Sequence, residues 1–279
     1  MPFDVRDSSG SEVHPGIAIT PILLALGPGL FRVVGTGFYI TRYGLFVTAK
    51  HVVDDLANEG RTRLQPSYTM QFTPGNTFHL RRILSASFHP GAPVERPDIA
   101  VCQADNGLAT EPAGAEINER IGLTLVVPEP GLPVGTYAYP DNRELDMRPP
   151  NEKVVIKADF FEGSFIGRRD ATSHPYIRYP HFETTVELRG KASGGPVFGE
   201  AGHAFAVNCR GWDFRGGEHE GRHLSYVVSV EGFLDLPIAV PQIPPWSAEY
   251  AAIPPTRRDT RLTGRELVEY GHVALHSNT

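Results

Sequence analysis

The sequence predicts an all-β protein built of two successive strand-rich units, and three observations carry that prediction. Short apolar stretches rich in Val, Ile, Phe, Thr and Tyr recur through the first 240 of the 279 residues, most of them too short for a helix. Glycine (29) and proline (25) punctuate them without a fixed period, which implies many tight turns and excludes a collagen-like repeat. A polar stretch around residues 106–120 divides the strand candidates into two groups of about six, which two barrels or two sandwiches would accommodate.

Taken in order, the first group is IAITPILLAL, FRVVGTGFYI, LFVTAKHVV, YTMQF, FHLRRILSASF and DIAVCQA. The second is LTLVV, GTYAYP, KVVIKADFF, YIRYPHFETTVEL, GPVF, HAFAVNC and LSYVVSV. No internal repeat relates the two groups. From Pro241 the character changes: PQIPPWSAEYAAIPPTRRDTRL holds five prolines, which disfavour helix or ladder for most of its length and predict a run over the surface. The closing TGRELVEYGHVAL offers Thr263 as a cap, Leu267, Val268 and Val273 as a packed face and Gly271 as a stop, so a short C-terminal helix is expected.

A composition that is 41% hydrophobic and 21% charged supports a sizeable core and excludes global disorder. The formal charge of −6 provides no overall positive field, which argues against nucleic acid as the main partner. With only Cys102 and Cys209 there is neither a disulfide scaffold nor a cysteine-based structural zinc site, and both read as buried free thiols. The N-terminal residues lack the basic start and apolar run of a secretory signal. The apolar segment Ile17 to Leu30 is broken by Pro21, Gly27 and Pro28, too short for a membrane span. A soluble, cytoplasmic protein with no membrane partner is the resulting expectation.

Three places carry candidate chemistry: GTGFYITRYGLFVTAKHVV (35–53), PDIAV (97–101) and GKASGGPVF (190–198). They supply His51, Asp98 and Ser193, each at the edge of an apolar strand where a loop would present it. A serine hydroxyl is almost wholly protonated at neutral pH and needs a base to take its proton, which an imidazole suits. The imidazole in turn needs a carboxylate to hold one tautomer and offset the positive charge it acquires. Gly194-Gly195-Pro196 permits the sharp bend that leaves a hydroxyl at the floor of a cleft.

These segments resemble the chymotrypsin-like (trypsin-fold) serine peptidases, in particular bacterial trypsin-like peptidase domains. GTGFYI followed by VTAKHVV is similar to the family's GSGF and LTAAHV, PDIAV to its DIAL, and ASGGPVF to GDSGGPL or GNSGGPL, over about residues 12–240. The resemblance implies two six-stranded antiparallel β-barrels with the site in the crevice between them. Residues 12–118 would form the first barrel with His51 and Asp98, 119–240 the second with Ser193, and 241–279 a proline-rich tail ending in the short helix. It implies peptide-bond hydrolysis through an acyl-enzyme, a protein or peptide substrate, and neither metal nor organic cofactor. The alternatives are a catalytically impaired binding or scaffold protein of the same fold, and an esterase using the same triad.

Two positions depart from the family. The oxyanion hole implied by the resemblance uses the backbone N–H groups of Ser193 and of the residue two before it, usually glycine, where this chain has Lys191. Ala192 replaces the aspartate that pairs with a new N-terminus in the digestive enzymes, so that activation switch is lost. For specificity, Glu187 stands six residues before Ser193, where family members often set the primary pocket; alternation in TTVEL equally makes it an outward strand residue. AVNCRGW (206–212) resembles the segment that pairs with substrate backbone, with Arg210 beside the pocket.

Other motifs have plainer readings. His219-Glu220-Gly221-Arg222-His223 matches a zinc-protease pattern that requires a helix, yet Gly216, Gly217 and Gly221 crowd it and strand-like LSYVVSV follows, so a hairpin turn is expected. The remaining histidines (His14, His79, His89, His174, His181, His203, His272, His276) share no ligand spacing. Tyr176, Tyr179 and Phe182 with Arg178 read as aromatics packed on a sheet face rather than a base-stacking platform.

Overall fold

The computed structural model describes residues 4–7, 9–60, 62–73, 77–90, 96–105, 119–141, 144–149, 155–171, 177–213, 223–239, 242–245 and 247–276. A one-turn helix α1 (Pro15–Ala18) leads into β1 (Ile19–Gly27), followed by β2 (Leu30–Tyr39), β3 (Leu45–Thr48), the helix α2 (Lys50–Leu56), β4 (Ser67–Thr73), β5 (Thr77–Phe88) and β6 (Ala100–Ala104). The six strands pair antiparallel in the order β1-β4-β5-β6-β3-β2, and the β1–β2 pairing closes the ring. Each predicted stretch of the first group supplies one strand. LFVTAKHVV, however, is a strand only to Thr48; its second half winds into α2 and buries Val52, Val53 and Leu56 on one helical face.

The second half contributes β7 (Leu123–Thr124), β8 (Pro133–Ala138), β9 (Glu144–Asp146), β10 (Asp159–Arg169), β11 (His181–Thr184), β12 (Pro196–Phe198), β13 (Ala204–Asp213) and β14 (His223–Ser229). Here the ring is β12-β8-β10-β11-β14-β13, closed by β12–β13. LTLVV gives only the two-residue β7, which lies parallel beside β13 outside the ring. β9, unmarked in the sequence, pairs with β2 of the first barrel. The two closed six-stranded antiparallel barrels make this a chymotrypsin-like all-β fold.

One core cluster joins both barrels: Phe38, Val47, Ile99 and Val101 from the first meet Tyr139, Val207, Tyr226 and Val228 from the second. The tail belongs to it as well: Leu267 and Val273 form the packed face expected of them, whereas the proline-rich stretch 241–262, expected over the surface, also buries side chains. β15 (Pro237–Ile238) pairs with β16 (Leu262–Thr263), α3 (Ala248–Ala252) interrupts the prolines, and β17 (Leu275–His276) lies parallel to β7. Ile243, Ile253, Leu262, Leu267 and Val273 are buried in the shared cluster. Prolines exclude long ladders, but they do not stop apolar side chains between them from being buried. Glu249 on α3 accepts from Tyr43 Oη at 2.8 Å and pairs with Arg42, tying the tail to the β2–β3 hairpin. Among the described residues no helix is long and apolar enough to cross a membrane.

The expected terminal helix is α4 (Gly264–Glu269), capped by Thr263. Thr263 Oγ1 accepts from Glu266 N (3.2 Å) while Glu266 Oε2 accepts from Thr263 N (2.8 Å), satisfying two N–H groups the helix would leave free. Gly271, at φ +75°, then turns the chain away. Thr263→Ala is expected to destabilise the protein by about 1 kcal/mol in urea unfolding.

Candidate active site

The pairing of β3 with β6 sets Thr48 opposite Ala100, so the residues just beyond each strand end, His51 and Asp98, are brought together by ladder register alone. His51 lies in the first turn of α2, where backbone N–H groups have no helical acceptor. Asp98 Oδ1 takes the His51 N–H at 2.9 Å, and Asp98 Oδ2 meets His51 Nδ1 at 2.6 Å. One carboxylate thus fixes both the start of the helix and the orientation of the ring, leaving Nε2 for other work. The imidazole is 45% exposed and the carboxylate only 16%. Burial would push the Asp98 carboxyl up, but the bonds from the His51 ring and backbone, with the charges of His51 and Lys50, outweigh it and hold the carboxyl below its ordinary value.

Ser193 arrives from the second barrel, on the bend that precedes β12. Gly194 adopts φ +88°, and a Cβ there would stand 2.1 Å from the Thr36 carbonyl oxygen, so only glycine fits. The carbonyls of residues 189–193 all accept hydrogen bonds. Arg189 O accepts from Ala192 N, Gly190 O from Asp141 N (2.8 Å), Ala192 O from Gly195 N, and Ser193 O from Thr36 N (2.9 Å). Lys191 O accepts from Thr36 Oγ1 (3.0 Å). The N–H groups of Lys191 and Ser193 donate to no acceptor among the described residues. Two such neighbouring donors are what an oxyanion requires. Lys191 itself is at φ +76°, the left-handed conformation that glycine adopts freely and that costs another residue roughly 1–2 kcal/mol. The substitution that separates this chain from its family therefore keeps the backbone shape of glycine.

The serine hydroxyl is not on the histidine. Ser193 Oγ donates to Cys209 O at 2.9 Å, and among the described residues no hydrogen bond joins it to His51. Cys209 lies on β13, in the AVNCRGW segment singled out above, immediately after Asn208. Its buried thiol contacts Asp98 O at 3.6 Å and is pushed well above its ordinary range by burial; Cys102 is likewise buried, free and raised by burial. Ala192, where the digestive enzymes carry an aspartate, is fully buried.

The other sequence candidates are spread more widely. Glu187 is exposed on the irregular segment after β11, which ends at Thr184 rather than continuing through TTVEL, and Arg210 is exposed on β13. His223, the last residue of the H-E-x-x-H pattern, opens β14; its Nε2 accepts from Leu188 N at 3.1 Å, and residues 219–222 lie outside the described residues. Its ring packs against Gly211, where a Cβ would come within 2.9 Å of Nε2. Among the described residues no three His, Cys, Asp or Glu side chains are grouped to hold a metal. Tyr179 and Phe182 are buried and Arg178 is exposed; Tyr176 and His174 lie outside the described residues. The residues that sequence reasoning missed are Thr36, Asp141 and the Cys209 carbonyl, all of which act on the Ser193 loop.

Two closed barrels, a His–Asp pair on one and a serine loop on the other define the chymotrypsin-like class. The trypsin-like peptidase domain family matches residues 35–207, and the chain belongs to it. Solved structures share the fold: Deg5, with a TM-score of 0.51 and 17% identity, aligned over 77% of this chain and 85% of that one. A second is the MamO protease domain from Magnetospirillum magneticum in its apo form, with a TM-score of 0.51 and 13% identity, over 77% of this chain and 93% of that one. Among curated protein sequences none matches this chain.

Proposed function

We propose that this chain is a serine endopeptidase in which Ser193 is the nucleophile, His51 the base and then the acid, and Asp98 the group that orients His51. The observation that carries the reading is the pair of unengaged N–H groups on Lys191 and Ser193, supported by the 2.6 Å Asp98–His51 contact. In the reaction, the Ser193 hydroxyl leaves the Cys209 carbonyl by rotation about χ1 and meets His51 Nε2. An extended substrate added along β13 offers its own backbone N–H to the vacated carbonyl, so binding and release of the serine are coupled. Oγ attacks the scissile carbonyl as Nε2 takes its proton, and the carbonyl oxygen, now negative, accepts from Lys191 N and Ser193 N. Collapse expels the amine, which receives the proton from His51; water, activated by the same nitrogen, then hydrolyses the acyl-enzyme. Glu187 and Arg210, both exposed, remain proposals for substrate selection, as does a protein or peptide substrate itself.

The hydroxyl resting on Cys209 O favours a second reading, a binding protein of this fold whose triad no longer assembles. A fluorophosphonate probe separates the two. The peptidase reading expects labelling of the folded protein that disappears in Ser193→Ala, together with faster turnover of a peptide series than of matched esters once intrinsic reactivity is allowed for. Folded protein that stays unlabelled across about pH 6–9, where a free imidazole serves as a base, supports the binding protein.

A further inference from the structure

The loop that carries Ser193 is held by a residue of the other barrel. We propose that Thr36 is a positioning residue that keeps Lys191 in its left-handed conformation and thereby sets the oxyanion site; the inference rests on the reading of Ser193 as nucleophile. Thr36 is fully buried in β2, between Gly35 and Gly37. Both glycines are there for clearance: a Cβ on Gly35 would stand 2.7 Å from Val52, and one on Gly37 would stand 2.9 Å from Phe46. The backbone of β2 is thus pressed against α2 and β3, and Thr36 is the side chain left to face the Ser193 loop.

Every polar atom of Thr36 is used. Its N–H donates to Ser193 O (2.9 Å), and its carbonyl accepts from Thr48 Oγ1 (2.7 Å). Its hydroxyl accepts from Tyr139 N (3.1 Å) and donates to Lys191 O (3.0 Å). Because Tyr139 N can only donate, the hydroxyl proton is committed to Lys191 O, the acceptor it meets among the described residues. Thr36 therefore grips the two carbonyls that flank Ala192, at Lys191 and at Ser193. Those carbonyls fix the peptide planes that follow Lys191 and Ser193, while the planes that carry the Lys191 and Ser193 N–H groups are held at Gly190 O by Asp141 N and at Ala192 O by Gly195 N, so Lys191 is set between a plane held by Asp141 and one held by Thr36. Glycine in the place of Lys191 would need no such help, since its left-handed state carries no Cβ penalty. A lysine does need it, and the Thr36 hydroxyl supplies a bond that exists only when Lys191 holds this geometry.

Thr36→Val keeps the shape and removes the bond, and three comparisons test the assignment in the 279-residue chain. Thr36→Val is expected to lower kcat by about tenfold to a hundredfold, short of complete loss of one oxyanion donor, with KM changed by less than about threefold. Thr36→Ser, which keeps the hydroxyl, recovers most of the loss. Lys191→Gly introduced into Thr36→Val also recovers activity, a non-additive result that loss of packing would not give. Crystal structures of the wild type and Thr36→Val supply a readout independent of turnover: Lys191 is left-handed in the first and has left that region in the second. Unchanged kcat in Thr36→Val, Thr36→Ser as poor as Thr36→Val, or an unmoved Lys191 overturns the proposal while a labelled Ser193 leaves the peptidase reading standing. Should the wild type prove unreactive, the peptidase reading falls and the Lys191 conformation still decides the role of Thr36. If Thr36→Val does not fold, the Thr36→Ser and Thr36→Ala crystal structures carry the comparison of Lys191.

Discussion

Ser193→Ala is expected to lower kcat on a peptide substrate by about a millionfold and to leave the unfolding midpoint nearly unchanged. The catalytic loss is large because the variant removes the nucleophile of the proposed mechanism, and the neighbouring Cys209 thiol is buried against Asp98 O and Val207 O. The structural loss is small because the hydroxyl makes one hydrogen bond, to Cys209 O, and such a bond contributes about 1 kcal/mol. His51→Ala gives a rate of the same order, and the double variant is no slower than either single one, since the two groups act as a unit. Circular dichroism and urea unfolding of the variants beside kinetics check both halves of this expectation.

Asp98→Asn is expected to lower kcat by about ten thousandfold. The carboxylate accepts twice, from the His51 backbone N–H through Oδ1 and from the ring Nδ1 through Oδ2. An amide has one acceptor and one donor in those places. If its oxygen keeps the backbone N–H, its NH2 faces Nδ1 and favours the tautomer that carries the proton on Nε2, where the base is needed. The fold survives because the helix start keeps its acceptor. A pH dependence accompanies the loss. The Asp98 carboxyl is held below its ordinary 3.8, so it binds fewer protons in the folded than in the unfolded chain and its contribution to stability is complete above that value. As pH falls below about 4 towards the folded value that contribution is lost, and the stability difference between wild type and Asp98→Asn shrinks; unfolding curves at a series of pH values measure it.

The barrels were legible because their strands are bounded by turn residues and dense in β-formers, and because short motifs sit where the catalytic loops leave the strands. What escaped has specific causes. α2 was hidden in LFVTAKHVV because Val52 and Val53 suit a strand equally well, and only the spacing of Val52, Val53 and Leu56 marks a helix. β10 runs unbroken past the KVVIKADFF stretch, but Gly163, whose Cβ would stand 2.6 Å from Val186 N, puts the close approach of another backbone where an apolar side chain would have continued the signal of a strand. β9 is three residues long and pairs with β2 of the other barrel, a match no local pattern announces. In the site, His51, Asp98 and Ser193 were visible as motifs. Thr36 read as one more strand residue in GTGF because its partner Lys191 O is 155 positions away. The serine's attachment to Cys209 O is a matter of one side-chain rotamer, which sequence does not encode.

The central claim is that the Ser193 hydroxyl, released from Cys209 O, forms a covalent adduct whose oxygen is held by Lys191 N and Ser193 N. A crystal structure with a peptidyl boronic acid tests it most directly. The account predicts boron bonded to Ser193 Oγ, one boron oxygen about 2.7–3.1 Å from both N–H groups, and His51 Nε2 beside the other. A fully occupied inhibitor with Ser193 still on Cys209 O, or an adduct whose oxygen turns away from Lys191 N, contradicts it.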